Sequence, residues 1–141
     1  AIKYYDLSIN EQLKTNQLSL TYVLINAAEL YLKNLKPNIA IIYTDWAMNN
    51  ALLRKQFDYV VDCYHLQYLI YKNMNHFTKC SEILIECKRF IDINSLGFEY
   101  IYINHIYSID ILLIKNEYER VKELQSKIIN SHKRSDRIII G

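Results

Sequence analysis

Apolar residues recur at helical spacing along most of this chain. After Gln17 they fall three and four positions apart, at Leu20, Val23, Leu24, Ala27, Ala28, Leu30 and Tyr31. This spacing puts them on one broad face of an α-helix, whereas a half-buried strand would place an apolar residue at every second position. The segment 98–113 is ambiguous, because its tyrosine and isoleucine residues favour a strand. Its place in the repeat described next favours a helix instead.

The chain repeats one order of elements. Segments that begin at Tyr31, Tyr71 and Leu112 each contain the apolar end of a helix, a short turn with an Asn, and a new amphipathic helix. When these segments are aligned, small or β-branched residues near the start of the second helix coincide at Ala1, Ala40, Cys80 and Val121, in steps of 39, 40 and 41 residues. Seven residues further on come Ser8, Ala47, Cys87 and Ile128. A period of about 40 residues is typical of arrays of stacked helix pairs.

Turn-forming residues predict where each helix begins and ends. The expected helices cover 1–14, 17–34 paired with 37–54, 56–73 paired with 76–92, and 96–115 paired with 117–133. Pro37 suits the first turn of a helix, where its missing N–H would have no partner. Asn34, Asn73 and Asn116 fall at the turns and are expected to adopt the left-handed conformation that usually requires Gly.

These elements predict one all-α domain of antiparallel helix pairs over residues 1–133. Residues 134–141 combine Arg134 and Arg137 with an apolar end, and they are expected to be a tail or the start of a further element. Because the chain begins at Ala1 in the middle of a predicted hairpin, we expect it to be part of a longer protein.

Composition narrows the class of protein. The 141 residues are 51% hydrophobic and 23% charged, as in globular domains. Two Gly and one Pro are too few for all-β folds, which need frequent turn residues, or for Gly-rich nucleotide-binding loops. The formal net charge of +2 does not by itself indicate a nucleic-acid partner, and the apolar runs are shorter than the roughly 20 residues that span a bilayer, so no membrane partner is expected. Three cysteines without a CxxC pair, and the lack of a signal-peptide pattern, favour the cytoplasm.

Sequence motifs for catalysis or metal binding are absent. The chain contains no GxSxG, no HExxH and no Gly-rich phosphate loop. Its histidines and cysteines lack the spacing of zinc ligands, and Cys63 and His65 would lie on different sides of a helix. We therefore expect a protein that is not an enzyme and has no metal or cofactor, with Cys63, Cys80 and Cys87 as buried core residues.

With this period, the chain resembles a tetratricopeptide-repeat array. The resemblance rests on Ala28 and Tyr31 in one first helix, on Tyr71 in the next, and on the opening AIKYY. It also rests on small residues in the second helices, namely Ala40, Ala47, Cys80 and Cys87. The usual turn Gly is missing, and the period exceeds the about 34 residues of that family. The resemblance implies a right-handed superhelix whose concave surface is lined by the first helix of each pair.

Long repeats of this kind resemble the sensor domains of bacterial peptide-pheromone receptors, the group that includes the Rap, PlcR and Rgg-type regulators. That resemblance implies the ligand-sensing part of a transcriptional regulator, which binds a short peptide or protein segment and meets DNA only through a separate domain. A homodimer is one expected assembly. The alternative is a non-sensing adaptor, scaffold or chaperone, because such proteins contain similar repeats and fold analogy does not distinguish them.

Carrying the family's groove positions onto this sequence gives one set of candidates for each pair. The predicted ligand-binding residues are Tyr22, Asn26, Glu29, Asp62, His65, Leu69, Tyr107 and Asp110, with Ile25, Leu66, Ile103 and Ile106 beside them. Asn26 lies in the apolar run YVLINAAEL, where its amide either binds the backbone of a peptide, bonds a neighbouring helix or faces water. Asp62 and His65 lie three residues apart and could pair, which would raise the pKa of the histidine.

Overall fold

The computed structural model describes residues 6–7, 20–115 and 118–140. Within these ranges the chain contains no strand. Residues 6–7 are helical, and six longer helices follow: α1 (Leu20–Lys33), α2 (Pro37–Leu53), α3 (Phe57–Asn73), α4 (Phe77–Ile93), α5 (Phe98–Ile114) and α6 (Tyr118–Ile140). The all-α prediction is therefore confirmed for this part of the chain, including the ambiguous segment that becomes α5. The rest of the predicted helix over 1–14 lies outside the described residues.

The predicted boundaries agree with those of α2 to α5 to within two residues. Pro37 occupies the first turn of α2, as expected. The last helix differs, because α6 continues to Ile140, past its expected end at residue 133. No Gly or Pro occurs between these two positions to end the helix.

The same turn follows each of the first four helices. Its central residue has a positive φ at Leu35 (59°), Lys55 (56°), Asn75 (60°) and Ser95 (52°), that is, every 20 residues. The next amide donates to the carbonyl five residues earlier, as from Lys36 to Tyr31 at 2.9 Å, and the positive-φ residue donates to the carbonyl three residues earlier. This pair of hydrogen bonds is the Schellman motif. A short turn of this kind reverses the chain, so consecutive helices pack as antiparallel hairpins.

The predicted role of the turn asparagines is wrong for the two that the structure describes. Asn34 precedes the left-handed residue, and its side-chain Nδ2 donates to the carbonyl of Leu30 at 2.8 Å. Asn73 is the last helical residue of α3. Asn116 lies outside the described residues. The left-handed position is set by the two backbone hydrogen bonds of the motif, so it falls on whichever residue stands there, even at a cost of about 1 kcal/mol for a residue with a Cβ.

Small residues allow the second helix of each pair to approach its neighbours closely. Of the residues that the repeat singled out, Ala40, Ala47, Cys80 and Cys87 are fully buried and Ile128 is half-buried, whereas Ala1 and Ser8 lie outside the described residues. Val121 is 4% exposed, and all three cysteines are buried and free, as expected. An apolar cluster joins α1, α2 and α3, and two further clusters join α3, α4 and α5.

First and second helices are arranged differently. The first helices, α1, α3 and α5, meet side by side, because α1 contacts α3 and the side chains of α3 bond those of α5. The second helices, α2, α4 and α6, are separated by clefts of about 230 Å³ between α2 and α4 and about 630 Å³ between α4 and α6. None of the described helices combines the length and the apolar character needed to cross a membrane.

Candidate functional site

The candidate site is the solvent-accessible surface of α1, α3 and α5, which we call the first-helix face. It contains Tyr22, Asn26, Glu29, Lys33, Asp58, Asp62, Leu69, Lys72, Glu99, Ile103, Ile106, Tyr107 and Asp110. Of the predicted ligand-binding residues, Tyr22, Glu29, Asp62 and Leu69 are exposed, whereas Asn26, Tyr107 and Asp110 are half-buried. His65 is buried at 8% exposure, and Ile25 and Leu66 are buried too.

Acidic residues dominate the charge of this face. The three first helices carry five carboxylates, at Glu29, Asp58, Asp62, Glu99 and Asp110, against two lysines, Lys33 and Lys72. Asp62 is exposed, but neighbouring protein displaces part of the water around its carboxylate and raises its pKa, and the charges of Asp58 and Glu29 raise it further. Glu29 on α1 and the aspartates on α3 therefore share one region of negative potential.

Tyr100 shows that this region continues to α5. Burial of its phenol raises the pKa, and the charges of Asp58, Glu99 and Asp62 act in the same direction. Carboxylates of both α3 and α5 therefore act on the same phenol. Carboxylates from all three first helices thus act on one stretch of surface.

The side-chain amide of Asn26 has no hydrogen-bond partner among the described residues. The side chain is half-buried. A bond to a neighbouring helix, one of the three alternatives from the sequence, is therefore not seen in the described part of the chain. A free amide of this kind can both donate to and accept from one peptide unit.

Asp110 is already paired within the protein. Lys72 Nζ and Tyr68 Oη donate to its Oδ2 at 2.6 Å and 2.5 Å. Partial burial alone would raise the pKa of Asp110, but the two hydrogen bonds and the lysine charge outweigh it and hold the pKa below its usual value. The Tyr107 ring lies 4.7 Å from that of Tyr68, between centroids. Both predicted residues thus have structural partners.

The predicted pairing of Asp62 with His65 is wrong. His65 points into the protein, where its Nε2 lies 3.2 Å from Asn104 Oδ1 on α5. Burial lowers the pKa of the ring, although the Asn104 hydrogen bond opposes this, so no nearby carboxylate raises it. A separation of three residues puts two side chains on neighbouring parts of a helix surface, but α5 covers the one at position 65 and leaves the other in solvent.

Cys87, His65 and Asn104 resemble the residue types of a nucleophilic triad, but their geometry does not suit one. Asn104 Nδ2 donates to the carbonyl of Leu84 at 3.0 Å, so its Oδ1 faces His65 and the histidine must donate from Nε2. Cys87 Sγ lies 3.6 Å from that same nitrogen, so the thiol has no base to accept its proton. Burial also raises the pKa of Cys87 to about 12. These side chains form a buried connection among α3, α4 and α5.

Sequence reasoning missed three residues of these clusters, Tyr68, Lys72 and Asn104, and it also missed the buried His105 beside Asn104 on α5. A signal for two of them was present, because Asn104 and His105 interrupt the apolar run of α5 just as Asn26 interrupts that of α1. A buried polar side chain usually needs a hydrogen-bond partner, and Asn104 finds two, His65 and the Leu84 carbonyl. No signal identified Tyr68 or Lys72, whose partner Asp110 lies about 40 residues away.

Neither a metal site nor a known relative adds to this description. Among the described residues, no three His, Cys, Asp or Glu side chains come together as metal ligands. Comparison of the chain with protein families, curated proteins and solved structures finds no match.

Proposed function

We propose that this chain is a peptide- or protein-binding helical repeat module that binds an extended segment with basic residues on its first-helix face. The observation that carries the proposal is the set of exposed carboxylates on α1, α3 and α5, Glu29, Asp58, Asp62 and Glu99, which also act on one another and on Tyr100. Three successive first helices that present like charges to one surface attract a ligand that is positively charged along its length.

The neighbouring side chains suit the backbone and apolar residues of such a ligand. Tyr22 is 54% exposed and lies about one helical turn before the half-buried Asn26. Ile103 is 41% exposed and lies about one turn before the half-buried Tyr107. Apolar anchors beside a free amide, that of Asn26, offer both contact area and a hydrogen-bond partner for main chain.

In this proposal the helix pairs form a tetratricopeptide-like, right-handed superhelix whose concave surface is the first-helix face. Contact between α1 and α3 and side-chain hydrogen bonds between α3 and α5, with clefts between second helices, support curvature in that direction. Such a module would act in the cytoplasm as the sensing part of a regulator whose DNA-binding domain lies elsewhere in the protein. Ligand binding would change the curvature and so the activity of that domain.

Peptides of opposite charge test the proposal. We expect a labelled peptide of alternating Lys and Val to bind about tenfold more tightly than its Glu and Val counterpart, measured by fluorescence anisotropy, and the difference should shrink in high salt. The double variant Asp58→Asn with Asp62→Asn should weaken binding of the Lys peptide by about tenfold. Glu82→Gln with Glu86→Gln on α4 removes the same charge from the other side of the protein and should change affinity by less than about twofold.

Equal affinity for the two peptides, or equal loss in both double variants, would reject recognition by the first-helix face. The adaptor or scaffold function would then be favoured, and one observation supports it. The second helices expose Ile42 (64%), Ile85 (60%) and Ile93 (75%), which are large apolar side chains in solvent. Sedimentation of the chain over a range of concentrations tests whether a second copy covers them.

A further inference from the structure

A cleft between α4 and α6 lies away from the first-helix face and has α5 as its floor. We call it the α4–α6 cleft; its lining includes Leu84, Lys88, Ile101, His105, Ile111 and Lys127. Its volume of about 630 Å³ lies within the range of about 300–1,000 Å³ that is typical of small-molecule sites. This inference goes beyond the proposed function, because it concerns a different surface.

The cleft has an apolar side and a charged rim. Apolar residues of α4, α5 and α6 line it, including Leu84, Ile101, Ile111 and Leu124. Three cations, Lys88, Arg120 and Lys127, line it together with two anions, Asp92 and Glu123. Lys127 Nζ lies 3.7 Å from Glu123 Oε1. Both side chains are exposed, so this ion pair contributes little to stability on its own.

His105 is a buried polar residue that lines the cleft. Its side chain is more than nine-tenths buried, at 8% exposure, and makes no hydrogen bond with any described residue. No fully buried polar side-chain atom of the described residues lacks a partner, so the ring nitrogens of His105 keep some accessible area, and His105 lines the cleft. They therefore offer one donor and one acceptor to an occupant.

The local field at His105 is positive. Burial lowers the pKa of the ring, the charges of Lys88 and Lys127 lower it further, and Asp92 opposes them only in part. An anion held beside these lysines would relieve their repulsion of a protonated ring. The charged groups from α4 and α6 that act on the ring thus favour negative charge in the cleft.

We propose that the α4–α6 cleft binds a small amphipathic carboxylate, with its head between Lys88, Lys127 and the His105 ring and its hydrocarbon part against the apolar side. An inorganic anion would leave the solvent-accessible apolar lining of the cleft, Ile85, Ile101 and Leu124, uncovered, whereas an uncharged apolar molecule would make no use of the positive charges of Lys88 and Lys127.

Three eight-carbon probes separate these possibilities: octanoate, 1-octanol and octylammonium. We expect octanoate to bind about tenfold more tightly than octanol, measured by calorimetry on the whole chain, and octylammonium to bind more weakly than either. In NMR spectra the ring signals of His105 should shift with octanoate, and its pKa should rise when the site is filled.

Exposed lysines allow a test that leaves the core intact. Lys88→Gln combined with Lys127→Gln should weaken octanoate binding by about tenfold and leave octanol binding unchanged. Arg89→Gln is the matched control for position 88, since Arg89 is an exposed cation on the same helix that does not line the cleft. It should change octanoate affinity by less than about twofold. The proposal is overturned if octanoate does not bind, if octanol binds as tightly, if the double variant binds normally, or if the His105 signals stay in place at saturation.

Discussion

The two interior interfaces on either side of α3 differ in their chemistry. Where α3 meets α1 and α2, the buried contacts are formed mainly by aliphatic and small side chains such as Leu24, Ala28 and Ala47. Where α3 and α4 meet α5, the interior contains the hydrogen-bonded His65 and Asn104. The turns that join these helices have the same geometry throughout. A repeated backbone therefore does not require a repeated interior.

The difference has consequences for stability. An apolar interface depends on area removed from water, which does not change with pH. A buried polar interface depends on each donor and acceptor having its partner, and on the histidine remaining neutral. We therefore expect the interface of α5 to tolerate fewer substitutions than the interface of α1 and to depend more strongly on pH.

The largest effect should come from the apolar interface. Leu24→Ala removes a side chain with no exposed area and leaves a cavity, which should lower the free energy of unfolding by about 2–5 kcal/mol. Urea denaturation followed by circular dichroism measures this. The loss should be the same near pH 7.5 and near pH 5.5, and a loss that depends on pH would contradict the comparison.

Asn104→Ala should have the next largest effect. It leaves His65 Nε2 and the Leu84 carbonyl without their partner, and should cost about 1–3 kcal/mol. Ser108→Ala is the control on the same helix, because that hydroxyl bonds only the Asn104 carbonyl within α5, and its loss should cost less than about 0.5 kcal/mol. Equal losses in the two variants would mean that the buried network does not stabilise the interface.

Acid should destabilise the polar interface. Burial lowers the pKa of both His65 and His105 in the folded chain. The unfolded chain therefore binds more protons just below the ordinary histidine pKa of about 6.5, so stability should fall there by up to about 1.4 kcal/mol per pH unit for each histidine. The fall should end below the folded pKa. His65→Gln should reduce the slope of Tm against pH, and an unchanged slope would exclude His65 as its source.

Substitutions in the turns should change the free energy of unfolding least, and by the same amount before α3 as before α5. Lys55→Gly and Ser95→Gly each relieve a positive φ and should raise the free energy of unfolding by up to about 1 kcal/mol. Asn75→Gly should gain less, because Asn already tolerates this conformation. Thermal unfolding of the three variants measures these gains, and a lower Tm for Lys55→Gly would mean that the Lys55 side chain has a role of its own.

Much of the local structure was predictable from local patterns. The spacing of apolar residues identified α1, the turn residues and the repeat gave the bounds of α2 to α5, and the repeat resolved the ambiguity of α5 in favour of a helix. The alignment of Ala40 with Cys80 identified buried contact positions, since only small residues let neighbouring helices come close. The positive-φ residues were not predictable in the same way, because Leu35 and Lys55 have no preference for that conformation.

The candidate site was predicted less completely. Tyr22, Glu29 and Asp62 are exposed on the first-helix face, but His65 is not, because a neighbouring helix covers it. Helical periodicity says which residues share a side of one helix. It does not say which part of that side another helix will cover.

The sequence by itself determined the helices, the period of about 40 residues and the small residues at the contacts, because these depend on side chains that are close in the chain. Only the tertiary structure decided that His65 bonds Asn104, that Asp110 pairs with Lys72, and that the α4–α6 cleft contains His105. Those pairings join residues that are 38 or more positions apart and depend on how each hairpin stacks on the next. Stacking depends on the sum of many weak contacts, so no single residue in the sequence predicts it.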